Sequence, residues 1–182
     1  MCKQVEYTLR VIILDTSAFI QGFTSTSPDT RLYTTPQVLN ELTDDFAKIR
    51  ASNWAQTGKL VVTTPRGESL QHVLDKAKKM GETDALSSTD QSVLALAHQL
   101  SAEVEVVVLI SDDYGVQNLA DELGLQYMGM ITPGIKRRFK WINYCPGCRK
   151  QFDKPQPDHI CPICGTQLKR KPGKKTRRQG GR

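Results

Sequence analysis

Val11-Ile-Ile-Leu-Asp15-Thr-Ser-Ala-Phe19 sets four aliphatic residues before a carboxylate and a turn. Such a run, rich in β-branched residues, reads as a short buried strand. An Asp at its C-terminal end stands where open α/β sheets hold their ligands. Val106-Val-Val-Leu-Ile-Ser111 repeats the arrangement and ends on Asp112 and Asp113. Further apolar runs at Leu32 to Thr35, Leu60 to Thr64 and Leu125 to Met130, with the fourth run starting at Val104, bring the expected strands to five. Helical stretches separate them at Pro36 to about Ser52, Gly67 to Met80, Ser88 to Leu100 and Tyr114 to Leu123, the last stopped by Gly124. This alternation predicts an α/β fold with a parallel sheet flanked by helices. Thr24 to Asp29 reads as a loop.

Acids fall where such a sheet could gather them: Asp15, Glu41, Asp90 and the Asp112/Asp113 pair. Each has a structural explanation to weigh against a functional one. Asp15 could cap the short turn into Ala18-Phe19-Ile20. Asp90 lies in Ser88-Thr-Asp-Gln91, where Ser88 and Gln91 make an expected capping box and an acid in the first turn favours the helix dipole. Glu41 flanks the stripe Val38, Leu42, Phe46, Ile49, while Asp44 and Asp45 are assigned to solvent, Asp44 pairing with Lys48. Asp112 and Asp113 point to opposite sides if the strand persists, so at most one faces Asp15. Several carboxylates at one point repel unless a cation neutralises them or some are protonated. A divalent metal resolves the conflict.

Charge divides the chain. Residues 1–135 hold 10 Lys/Arg against 17 Asp/Glu, and residues 136–182 hold 15 against 2, giving the overall +6. So basic a C-terminal block reads as an electrostatic footprint for nucleic acid, with a solvated tail as the plainer alternative. Four of the five cysteines form Cys145-Pro-Gly-Cys148 and Cys161-Pro-Ile-Cys164, 12 residues apart, a spacing that suits four thiolates around one structural Zn2+. Cys2 is left over. Phe139, Trp141, Tyr144 and Phe152 are interleaved with Lys136, Arg137, Arg138, Lys140 and Arg149, the composition of a surface that stacks bases and binds phosphate, although some of these rings also suit a small core. The N-terminus lacks a signal-peptide pattern and no run is apolar enough to span a bilayer, so the expectation is a cytoplasmic protein without a membrane partner.

The segments Val11 to Phe19, Pro36-Gln-Val-Leu-Asn-Glu41-Leu, Leu86-Ser-Ser-Thr-Asp90 to Ala97 and Ser111-Asp-Asp-Tyr-Gly-Val-Gln-Asn-Leu-Ala120 resemble the acidic motifs of PIN-domain nucleases. With one four-cysteine ribbon and a basic tail, the chain resembles the Nob-type endoribonucleases in their archaeal form. That resemblance implies a PIN-like (Rossmann-like) domain over 1–134, a basic linker over 135–143 and a zinc ribbon over 144–168, while the Lys, Arg and Gly content of 169–182 predicts a disordered basic tail. It implies an enzyme of ribosome biogenesis that cleaves precursor small-subunit rRNA at its 3′ end, with RNA and the small ribosomal subunit precursor as partners. The metal-binding acids it implies are Asp15, Glu41, Asp90 and one of Asp112 and Asp113, with Asp113 the better match, holding one or two Mn2+ or Mg2+. Phosphodiester hydrolysis by an activated water, leaving 5′-phosphate and 3′-hydroxyl ends, is the implied chemistry. Two-histidine chemistry has little support, since His72 and His98 lie in helical stretches and His159 in the ribbon. The rivals are a toxin-like PIN ribonuclease, which usually lacks a ribbon, and a non-enzymatic RNA-binding assembly factor, which leaves the acids idle.

Overall fold

The computed structural model describes residues 10–24, 30–81, 86–131, 137–138, 141–152, 159–172 and 176–177. In chain order the first elements are β1 (Arg10–Leu14), α1 (Thr16–Ile20), β2 (Thr30–Thr34), α2 (Pro36–Glu41), α3 (Asp45–Gln56), β3 (Leu60–Val62), α4 (Gly67–Met80), α5 (Ser88–Ser101), β4 (Val106–Ile110), α6 (Tyr114–Glu122) and β5 (Gln126–Met128). The five strands form one sheet in the order β3-β2-β1-β4-β5, every neighbouring pair parallel. Parallel strands need crossovers, and the helices supply them. The chain winds one way from β1 through β2 to β3 and the other way through β4 to β5, so the sheet's switch point lies between β1 and β4. There Leu14 pairs with Ile110, and the Asp15 N–H donates to the Ile110 carbonyl at 3.1 Å.

The core sits on both faces of this sheet. Val11, Ile13, Leu14, Leu32, Leu109 and Ile110 are buried with Phe19, Val38, Val73 and the apolar run Val93 to Ala97 of α5. As the central helix, α5 is buried along most of its length, as its continuous apolar sequence requires. No helix of the described residues is long and apolar enough to cross a membrane.

One expected helix is two. The pattern predicts a single helix from Pro36 to about Ser52, but α2 stops at Glu41, Leu42 turns extended, and α3 starts beyond Asp44. Asp44 is not a solvent partner of Lys48; its carboxylate accepts the Ala47 N–H at 2.7 Å and caps α3, while Lys48 reaches Asp45 at 3.7 Å. The break also redirects the stripe. Val38 and Leu42 are buried, but α3 turns Ala47 and Ala51 inward and leaves Phe46 77% and Ile49 57% exposed. Apolar spacing assumes an unbroken helix, and an Asp with a free N–H three residues on ends that assumption.

The cysteine region forms its own small sheet, with β7 (Trp141–Tyr144) between β8 (Gln151–Phe152) and β9 (Lys169–Pro172), both antiparallel to it. β6 (Arg137–Arg138) pairs antiparallel with β10 (Thr176–Arg177). Strands thus occupy Lys169–Pro172 and Thr176–Arg177, where composition predicts a disordered tail, and Trp141–Tyr144 includes residues assigned to a linker. Cysteine spacing marks metal ligands; it carries no information about the strands that flank them.

Candidate active site and metal centre

Asp15 is the hub. It leaves the end of β1 as the cap of α1, its Oδ1 accepting the Thr16 N–H at 2.7 Å. Its Oδ2 accepts the hydroxyl of Ser111 from the end of β4 at 2.7 Å and that of Ser17 at 3.3 Å. The side chains that follow the two central strands therefore meet across the switch point. Asp15 is only 5% exposed. Burial pushes its carboxyl above the usual carboxylate range; the bonds from Ser111, Thr16 and Ser17 oppose this, and the charge of Asp90 adds to it.

Asp90 belongs to the first turn of α5, but the capping box sits one residue earlier than the sequence suggests. Ser87, not Ser88, is the cap: its hydroxyl accepts the Asp90 N–H at 3.1 Å, and Asp90 Oδ2 accepts the Ser87 N–H at 2.8 Å. Gln91 instead donates to the Leu86 carbonyl at 3.1 Å. Asp90 thus does the structural work that the plainer explanation assigns to it, and it stands at the site as well. Burial raises its carboxyl's pKa, bonds from Ser87 oppose the rise, and the charges of Asp113 and Glu41 push it further up.

Glu41, the last residue of α2, is exposed and accepts the Thr16 hydroxyl at 3.2 Å. Thr35 holds α2 in place at its other end, its hydroxyl capping Val38 N–H and lying 2.8 Å from Ser92 Oγ on α5. Asp113 is exposed and caps α6, its Oδ1 accepting the N–H groups of Gly115 at 2.7 Å and Val116 at 3.0 Å. A Cβ at Gly115 would stand 3.0 Å from that oxygen, so the glycine makes the close approach comfortable. Asp112 makes different contacts: its N–H donates to Ser17 Oγ and its Oδ1 accepts the Ile131 N–H at 3.0 Å. It braces the chain after β5, whereas Asp113 lies within electrostatic reach of Asp90.

The structure therefore brings Asp15, Glu41, Asp90 and Asp113 to the C-terminal ends of the central strands from four separate elements. Oxygen donors of this kind suit hard divalent cations, and a cation would relieve the repulsion that raises Asp15 and Asp90. No three of these carboxylates crowd as closely as the cysteines do. Sequence reading leaves Ser17, Thr89 and Ser111, which neighbour the acids, open between holding water or phosphate and plain turn or capping roles. Ser17 and Ser111 hold Asp15, while Thr89 is buried with its carbonyl accepting the Ser92 hydroxyl. It also missed Gln117, fully buried, which donates to the Ser111 carbonyl at 2.7 Å. A polar residue on the inner face of a short helix was the available signal. His72 and His98 stack on each other at 4.4 Å, joining α4 to α5.

Cys145, Cys148, Cys161 and Cys164 have their four sulfurs within 4.8 Å of one another and carry no disulfide. Sγ–Sγ distances of 3.3 Å (Cys145 to Cys164) and 3.6 Å (Cys148 to Cys161) are near the edge of about 3.8 Å for a tetrahedron of about 2.3 Å Zn–S bonds. The two knuckles repeat one turn. Arg149 and Gly165, each four residues past the first cysteine, are left-handed at φ 61° and 69° and donate N–H to that cysteine's carbonyl at 2.9 Å. Thr166 hydrogen-bonds Cys164 and draws its thiol down to about 6. Of the expected RNA contacts, Arg149 closes the first knuckle; Arg137, Arg138 and Trp141 appear only as strand backbone, and Lys136 and Lys140 lie outside the described residues.

Residues 12–100 match the family described as the PIN domain of ribonuclease. The chain is 42% identical over 158 residues to Endoribonuclease Nob1 of Pyrococcus abyssi, an alignment that covers 87% of this chain and 91% of that one. It belongs to the Nob1 family of endoribonucleases. The Nob1 of Methanocaldococcus jannaschii is 37% identical over 163 residues, covering 90% of this chain and 78% of its own. The yeast protein named 20S-pre-rRNA D-site endonuclease NOB1 is 32% identical over 98 residues, 53% of this chain and 21% of its own. The acids stand at the switch point of the PIN sheet, and the ribbon follows in the same chain.

Proposed function

We propose that this Nob1-family endoribonuclease cleaves precursor small-subunit rRNA at its 3′ end, with Asp15, Glu41, Asp90 and Asp113 holding one or two Mn2+ or Mg2+ ions. The observation that carries the reading is the convergence of these four carboxylates on the switch point, two of them with raised pKa values. The bound metal supplies charge for the phosphate and activation for the attacking water. The protein's own part is positional. Ser17 and Ser111 both donate to Oδ2 of Asp15 while the Thr16 N–H holds its Oδ1, the Ser87 box fixes Asp90, the Thr16 hydroxyl holds Glu41, and the α6 cap holds Asp113. Asp112 is a brace outside this set.

The division of labour follows the charge. Residues 1–134 form the nuclease, and the ribbon with its basic neighbours Lys136, Arg137, Arg138, Lys140, Trp141 and Arg149 grips the RNA of the subunit precursor, the four cysteines holding one structural Zn2+. The name of the yeast relative, a pre-rRNA endonuclease, supports the substrate. The test is incubation with RNA spanning the small-subunit 3′ end and Mn2+, followed by mapping of both product ends. A single cut leaving 5′-phosphate and 3′-hydroxyl ends is expected; 2′,3′-cyclic phosphate ends would overturn the mechanism, and cutting indifferent to the 3′-end sequence would overturn the substrate.

A further inference from the structure

Tyr114 is the first residue of α6, directly after Asp113, and is 54% exposed. Ile131, 67% exposed, is tied to the same corner by its N–H bond to Asp112, and Met130 beside it is also exposed. The chain thus shows water an aromatic and two apolar side chains next to its acid cluster. None of the three adds to the core described above. The helix does not need the ring either: Asp113 already caps α6, whose buried side is Val116, Leu119 and Ala120.

RNA at this site meets an unfavourable field. The half of the chain that carries the acids holds 17 Asp/Glu against 10 Lys/Arg, so phosphates flanking the cut gain nothing from it beyond the metal. Contacts that are not ionic therefore gain weight close to the reacting phosphate. An exposed aromatic ring is the sequence-tolerant way to hold a nucleotide, because every base has a π-face.

Resting on the endoribonuclease reading above, we propose that Tyr114, with Met130 and Ile131 exposed at the same corner, is a stacking platform for the unpaired base next to the scissile phosphate. The substrate at the cut is therefore single-stranded, since a base inside a duplex cannot turn onto a ring. Tyr114 touches the RNA and not the metal, so its effect falls on KM and leaves the product ends unchanged.

The test uses the full chain, Mn2+ and an RNA that the wild-type protein cleaves, with an abasic residue placed in turn at each nucleotide around the cut. Tyr114→Ala raises KM about tenfold or more, with a smaller change in kcat. Tyr114→Leu, which keeps apolar volume, repeats the loss, and Tyr114→Phe restores the wild-type KM. One abasic position next to the cut raises the wild-type KM by a similar factor and has no further effect on Tyr114→Ala. Unchanged KM in the alanine and leucine variants, or losses that multiply at every abasic position, overturns the platform while the nuclease reading stands. Failure of the wild-type protein to cut any such RNA overturns the reading itself.

Discussion

Asp15 carries two conflicting demands, and its hydrogen bonds show how they are met. A carboxylate at this depth is held charged by Thr16, Ser17 and Ser111, yet burial and Asp90 still raise its pKa. A group whose folded pKa lies above its unfolded value of about 3.9 makes the metal-free protein more stable as pH falls from neutral through the raised folded pKa, a gain complete below the unfolded value. Asp15→Asn is isosteric and uncharged. It is expected to abolish cleavage, leave RNA affinity nearly intact, raise the melting temperature in chelator at pH 7 and flatten its rise on acidification. A lower melting temperature in chelator would show that the charge is not a cost. Gly147 makes a second case. A Cβ there would lie 2.7 Å from Thr166 Oγ1, the group that hydrogen-bonds Cys164. Gly147→Ala should displace that hydroxyl and weaken zinc binding about 10- to 100-fold, the usual scale for losing a supporting contact, as measured by competition with a chromogenic chelator.

At the scale of elements, α5 joins core to site. Its buried run Val93 to Ala97 seats it against the sheet, and the Ser87 box at its start sets where Asp90 points. Ser87→Ala removes a cap worth about 1 kcal/mol and one of the two bonds to Asp90 Oδ2, leaving only the backbone N–H of residue 87 to hold the carboxylate. Thermal denaturation should show that modest loss, and cleavage at fixed Mn2+ should fall by more than the fraction unfolded explains. Wild-type cleavage in this variant would mean that Asp90 needs no box to work. The broken α2–α3 unit follows similar logic. Ending α2 at Glu41 leaves that side chain at a helix end beside Thr16, where a continuous helix would have carried the chain past it.

At the scale of the molecule, sheet and ribbon are held by different forces. The PIN sheet has a large apolar core, while among the described residues the ribbon's own cluster is Cys145, Cys161 and Leu168 with Cys148 and Phe152 against them. So small a cluster would need a metal on its four cysteines to stay folded. Replacing Cys145 and Cys148 together by Ser should unfold the ribbon and leave the cooperative melting of the PIN domain near its wild-type temperature; loss of both transitions would show that the two halves fold as one. Truncation after Gly134 removes 15 Lys/Arg. It should cost most of the RNA affinity and most of its salt dependence, measured by titration at several salt concentrations, because each phosphate contact releases counterions. Full affinity in the truncated protein would place the RNA grip on the acidic half.

Sequence alone determined the five strands of the parallel sheet, the acids at the ends of β1 and β4 and the four-cysteine cluster. Each of these is a local signal: an apolar run such as Val106 to Ile110 has one comfortable state, and ligand spacing is covalent. Tertiary structure decided what depends on neighbours distant in the chain. Asp113 caps α6, which begins at Tyr114, and Asp112 braces Ile131, a residue 19 positions away, a division that two adjacent acids in the sequence do not announce. Phe46 and Ile49 face water because Asp44 caps a new helix, an outcome set by whether its carboxylate bonds Ala47 or Lys48. Lys169–Pro172 is strand because Trp141–Tyr144 lies beside it; lysines and arginines form a ladder readily once a partner strand supplies the hydrogen bonds that their composition does not announce.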